Sequence, residues 1–302
     1  MTNPDTSLGP LPAPPASPAR RLAAVLHRHP RVRLGGLLAA PLGWMVVAYV
    51  GSLVLFFISS FWTVDSFSGN LVTTPSLDNY VEILTTPVYR TIAVRTVVMA
   101  ALVTLTTILL AFPIAFYMAK MASTRTRGIL VVSILLPLWS GYLVKVYAWR
   151  LILAENGALN WLLEPFGLKG PGYGDVAVWL VMSYLWLPYM IIPIFAGFER
   201  IPNSILEASG DLGARGGTTF RRVVLPMVFP AVIAGSIFTF SLTLGDYITP
   251  TLVSPDTQFI GNVIFAQHTN NLPLASAFAV VPIIVMIIYL AIARRLGAFE
   301  HL

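Results

Sequence analysis

The sequence contains no cysteine, which removes disulfide frameworks, thiolate nucleophiles and iron–sulfur clusters from consideration. Charge is scarce as well: 11% of residues are Asp, Glu, Lys or Arg, against about 25% in an ordinary soluble protein. Histidine occurs four times and never inside a long apolar run, so an intramembrane nucleophile–base pair has little to be built from. No GxxxxGK[ST] phosphate loop is present, so the chain is not its own ATPase. HExxH, GxSxG and Cys/His metal spacings are missing too. Neither an enzyme activity nor a cofactor or metal is expected.

What the chain has in quantity is apolar surface, 56% of its 302 residues. A membrane-crossing helix needs about 20 mainly apolar residues, because in hydrocarbon every backbone polar group must be paired within the segment. Six runs meet that need: Gly36 to Phe61, Thr91 to Ala119, Ile129 to Leu153, Val176 to Phe198, Val223 to Val253, and Leu274 to Ala293. The third is interrupted by Lys145 and Arg150. The expected fold is an all-α polytopic membrane protein with six transmembrane helices. Residues 1–33, with Pro4, Pro10, Pro12, Pro14, Pro15 and Pro18 and then a basic cluster, read as a disordered cytoplasmic arm. Residues 34–298 read as the membrane domain. The uncharged stretch 34–62 is too long for a cleaved signal, so a retained first span is expected.

The net charge of +6 invites a nucleic-acid reading, which the placement of the charges excludes. Lys and Arg sit at membrane edges. With the N-terminus inside, fourteen of the nineteen fall in the N-terminal arm, the second and fourth loops and the C-terminus. The positive-inside rule then puts both termini in the cytoplasm, in a multi-pass protein of the cytoplasmic (inner) membrane surrounded by lipid. The long outer segments, about Thr63 to Arg90 and Ala154 to Asp175, are candidate docking surfaces or plain solvated loops.

The fourth inner loop, Ile201-Pro202-Asn203-Ser204-Ile205-Leu206-Glu207-Ala208-Ser209-Gly210-Asp211-Leu212-Gly213, carries the marks of a short amphipathic helix over about 202–214. Pro202 suits a first helical turn, Asn203 or Ser204 could cap it, and Gly213 ends it. Glu207-Ala208-Ser209, three residues, Gly213, nine residues, Val223, one residue and Leu225-Pro226 resemble the EAA-x3-G-x9-I-x-LP signature of binding-protein-dependent ABC importer permeases, with Ser209 for Ala and Val223 for Ile. The resemblance implies a MetI-like permease. Glu207, Ala208, Ser209, Asp211, Gly213, Leu225 and Pro226 would then form the coupling segment seated on an ABC ATPase subunit. Further partners implied are a second homologous permease, a second copy of the ATPase and an extracytoplasmic substrate-binding protein. Leu136-Pro137-Leu138-Trp139, Val144 to Arg150 and Gly245 to Pro250 resemble the spermidine/putrescine branch, B or H type. The stretch Gln267 to Pro273 departs from that branch's Arg-Asp-Trp-Pro pattern.

One carboxylate stands out in the apolar runs. Asp246 follows the uncharged stretch from Val223, flanked by Gly245 and Thr249. A charge at membrane depth costs about 2.5–3.5 kcal/mol on insertion scales, so it asks for a reason. One reading makes Asp246 part of a translocation path for a small cationic solute, with Tyr247, Thr249, Trp149, Tyr184 and Trp186 adding cation–π or polar contacts. The other pairs Asp246 with Lys145 or Arg150 and assigns the aromatics to an interfacial belt. The function expected is permeation of a polyamine driven by a separate ATPase. The alternatives are an importer of another small organic solute, or a stand-alone secondary transporter, which would carry solute without bringing down an ATPase.

Overall fold

The computed structural model describes residues 30–65 and 67–295, with side chains from 34 onward. Most of the expected disordered arm, 1–33, lies outside the described residues. Two compact units divide between Phe56 and Phe57. The first helix, α1 (Leu34–Ser59), contains a π-helical stretch, Met45–Val50. There follow an antiparallel pair, β1 (Thr63–Val64) with β2 (Leu71–Val72), and a short helix α2 (Asp78–Thr85). Then come α3 (Pro87–Met121), α4 (Thr124–Trp139), α5 (Tyr142–Leu153) and α6 (Ala158–Leu163). The remainder is α7 (Asp175–Glu199), α8 (Asn203–Asp211), α9 (Gly216–Gly245), α10 (Ile248–Val253), α11 (Ile260–Gln267) and α12 (Leu272–Arg295).

Among the described residues five helices, α1, α3, α7, α9 and α12, are long and apolar enough to cross a membrane, and α4 with α5 pass the same test only when the bent pair is taken together. The continuous third helix expected over Ile129–Leu153 is therefore two helices, bent by 95°. The reason is local. Pro137 cannot donate a backbone hydrogen bond, and the Ser140 hydroxyl takes the Pro137 carbonyl at 2.8 Å, in place of the amide that would have continued the helix. Ser140 itself is extended, at φ −76° and ψ 143°. Likewise the fifth span does not run unbroken from Val223 to Val253. It stops at Gly245, and α10 starts afresh at Ile248.

The interior of the second unit is built by α3, α7 and α9. Near α8, Ala111, Ala115, Met190, Ile194, Phe198 and Val228 form one buried cluster, and toward the other end Val103, Val178, Val181, Met182 and Leu185 belong to another. Small residues let α7 and α9 come close, as membrane helices require when packing, not water, drives association. A Cβ on Gly197 would lie 2.6 Å from that of Ala231, and one on Gly235 would lie 2.8 Å from Met190 Sδ. Some buried polar groups are paired across elements: Ser59 Oγ and Ser276 Oγ lie 2.8 Å apart, and Asn79 Nδ2 donates to the carbonyls of Ser60 and Trp62. On α12, Ile283, Ile284, Ile287, Ile288 and Ile292 face outward, an apolar surface suited to lipid.

Candidate functional site

Two places gather the residues of interest, the α8 loop and the break after α9. In the loop, α8 begins at Asn203, with Pro202 extended just before it at φ −65° and ψ 142°. No side chain caps this helix; neither Asn203 nor Ser204 takes that role, and the Ile205 amide bonds the Pro202 carbonyl at 3.2 Å instead. The end is built as a Schellman turn. Gly213 has φ +77°, its amide reaches the Gly210 carbonyl at 2.8 Å, and the Ala214 amide reaches the Ser209 carbonyl at 3.1 Å.

Leu206 packs inward on the Phe198 cluster, whereas Glu207, Ala208 and Asp211 are exposed and Leu212 is 88% exposed. Helical spacing puts Ile205, Ala208 and Leu212 on one outward stripe beside the two carboxylates. Three contacts hold the loop to its neighbours. Lys120, at the end of α3, donates to the Ile201 carbonyl at 2.6 Å and lies 3.5 Å from Asn203 Oδ1. Arg127 of α4 pairs with Glu199 of α7, and the Ser209 and Thr219 hydroxyls lie 2.8 Å apart.

At the opposite end of α9, the backbone turns extended at Asp246 and the carboxylate collects the amides the break has freed. Oδ1 accepts from Ile248 N at 3.0 Å and Thr249 N at 3.1 Å, so Asp246 caps α10. Oδ2 accepts from Thr249 Oγ1 at 2.7 Å. The Tyr142 hydroxyl of α5 completes the set, 2.6 Å and 2.7 Å from the two oxygens. Tyr142 stacks on Trp186 at 6.0 Å, and the buried Trp186 indole N–H has no acceptor among the described residues.

Of the path residues expected from sequence, the structure thus brings together Asp246, Thr249 and, through Tyr142, Trp186. Trp149 and Tyr184 form a separate pair at 5.4 Å, and Tyr247 turns to stack on Phe265 of α11 at 4.6 Å. The pairing of Asp246 with Lys145 or Arg150 does not occur. Among the described residues the ion pairs are Arg95–Asp175 and Arg127–Glu199. Lys145 instead lines a cavity of about 160 Å³ with Ser133, Pro137, Tyr184 and Pro188.

Residues 45–298 match the family model described as the inner membrane component of binding-protein-dependent transport systems. The chain belongs to that family. This permease is 42% identical to the inner membrane ABC transporter permease protein YdcU of Escherichia coli K12, over 95% of its own length and 98% of that protein. It is 31% identical to the spermidine/putrescine transport system permease protein PotB of the same organism, over 83% and 96%. Two solved structures share its fold. A bacterial ABC transporter that imports the acidic polysaccharide alginate superposes with TM-score 0.69 at 17% identity, covering 91% of the permease and 99% of that chain. The alginate transporter in complex with its pentasaccharide-bound periplasmic protein gives TM-score 0.73 at 15% identity, covering 91% and 98%.

The permease is therefore a multi-pass inner-membrane subunit of an ABC importer and not an enzyme. Sequence reading missed Tyr142, because a tyrosine beside a Gly carries no signal of its own until the break at Ser140 is known. It also missed Lys120, Arg127 and Glu199 as loop anchors. Lys120 and Arg127 registered there only as positive charges, and their partners are a carbonyl and a residue 72 positions away.

Proposed function

We propose that the permease passes a small cationic solute, a polyamine of the spermidine or putrescine kind, inward across the membrane. The observation that carries this reading is the Asp246 carboxylate, partly exposed in a break at the end of an uncharged helix and beside the stacked pair Tyr142 and Trp186. A fixed negative charge with aromatic faces nearby attracts ammonium groups, each cation–π contact adding about 0.5–2 kcal/mol. Similarity to PotB supports the same solute class. A different small organic solute is the second reading. Lys145 favours it, since its ammonium at the α4–α5–α7 cavity opposes a polycation.

In this reading both termini are cytoplasmic and residues 34–298 are the permease domain. A second homologous permease completes the path. An extracytoplasmic binding protein delivers the solute. A dimeric ATPase pushes on the outward stripe of α8, with Glu207, Ala208, Ser209, Asp211 and Gly213 in the contact and Leu225 and Pro226 leading back into the membrane.

The test is uptake by the complete transporter in proteoliposomes. Labelled putrescine or spermidine should enter with ATP, and Asp246→Asn should raise the apparent KM several-fold. A binding protein that prefers a sugar or an anion would overturn the polyamine assignment. Glu207→Arg should cut capture of the ATPase subunit and uptake together; normal values of both would remove α8 from the coupling role.

A further inference from the structure

α3 and α9, both tied to the α8 loop by side-chain contacts, each carry a π-helical turn at or next to that contact. α3 ends in a π-helical turn, Tyr117–Met121, closed by the Ala122 amide on the Tyr117 carbonyl at 2.9 Å. The first turns of α9 include another, Phe220–Val224, closed by the Leu225 amide on the Phe220 carbonyl. A π turn holds one residue more than the α-helix around it needs, is less stable, and recurs at functional sites. Lys120 lies inside the first of these turns, and Thr219 immediately precedes the second.

The latches are specific. The Lys120 ammonium crosses to the Ile201 carbonyl, two residues before α8, at 2.6 Å, and makes no ion pair among the described residues. At the far end of α8, Ser209 meets Thr219 at 2.8 Å. Between Ser209 and Thr219 the Schellman turn at Gly213 closes the passage from α8 to α9 with two backbone hydrogen bonds. Behind the latches, Phe112 of α3 packs edge-on against Phe198 at 5.1 Å and Phe220 at 5.6 Å, so the second π turn shares an aromatic cluster with the part of α3 that leads into the first.

We infer that Lys120 and Ser209 are positioning residues that carry displacement of α8 into α3 and α9, the two π turns yielding as the helices follow. Lys120 pulls α3 through the Ile201 carbonyl, and Ser209 pulls α9 through Thr219. The inference rests on α8 receiving the ATPase, and it adds which helices move with it and through which atoms. Loss of a latch would leave the ATPase bound and hydrolysing while less of each cycle reaches the membrane helices.

The experiment compares Lys120→Met, Lys120→Arg, Thr219→Ala and wild type in the complete transporter, reading solute taken up per ATP hydrolysed. Lys120→Met and Thr219→Ala should keep the ATPase subunit bound and lower uptake per ATP by about threefold or more, a size usual for residues that transmit coupling. Lys120→Arg, which keeps a donor, should restore most of it. Hydrogen exchange gives a second measure that needs no variant. Amides of 117–122 and 220–225 should change protection between nucleotide-free and ATP-bound wild type. An unchanged uptake ratio in both deletion variants, or exchange at these turns indifferent to nucleotide, would overturn the inference. If Glu207→Arg proves harmless, the fault lies with α8 as the ATPase contact and not with the latches.

Discussion

At the scale of single residues, the carboxylate of Asp246 does two jobs that the sequence shows as one. Its isolation in an apolar stretch marked it as worth explaining. Its partners did not follow from that, because they are backbone amides two and three residues on and a tyrosine from a separate helix. A carboxylate has about four acceptor directions, and here most are taken, so the group is held in place by α5 and α10. Tyr142→Phe should therefore cost about 1–3 kcal/mol, the usual loss when a hydrogen bond to a charged, partly buried group is removed. Thermal unfolding of the detergent-solubilised permease checks it: a midpoint equal to wild type would mean that the hydroxyl contributes nothing. Lys145 shows the opposite limit. One of the two sequence readings pairs it, or Arg150, with Asp246, yet it lines a cavity with Tyr184 and Pro188 of α7.

At the scale of elements, apolar length was enough to find the five continuous candidate spans and the bent pair α4–α5, because that signal is summed over about 20 residues. Helix breaks were not legible, since hydropathy runs straight through them. Trp139 to Tyr142 and Gly245 to Tyr247 interrupt hydrogen bonding, not apolarity, and the interruptions depend on what Ser140 and Asp246 bond. The α8 helix, in contrast, announced itself through Pro202 and Gly213, whose backbone demands are local; only its missing side-chain cap differed. Helix packing also depends on single positions. Gly235→Leu would drive side-chain atoms into Met190, and overpacking of this kind costs about 1–3 kcal/mol or more. Lower yield and an earlier melting transition are expected for this variant, while Gly128→Ala, where a Cβ meets nothing within 4 Å, should behave as wild type and serves as the control.

At the scale of the whole molecule, the absence of cysteine offers a clean measurement of orientation, because any introduced thiol is the only one. Ser68→Cys, between β1 and β2, should react with a membrane-impermeant maleimide in intact cells, and Ser204→Cys, in α8, only after the membrane is opened. The reverse pattern would invert the topology and move α8 away from any cytoplasmic ATPase. Fold class and family were legible at this scale; the solute was not, since relatives of one fold are named for a polyamine and for an acidic polysaccharide. The bend between α4 and α5 has a consequence of another kind. The straight part before it has 16 residues, about 24 Å of helix, against a hydrocarbon layer of about 30 Å. Standing upright, α4 is too short for the bilayer by roughly one helical turn, and a shortfall of this kind is met by drawing the two leaflets together beside it. The permease would then be a thickness-sensitive protein, its resting shape set partly by the acyl chains of the lipids next to Trp139.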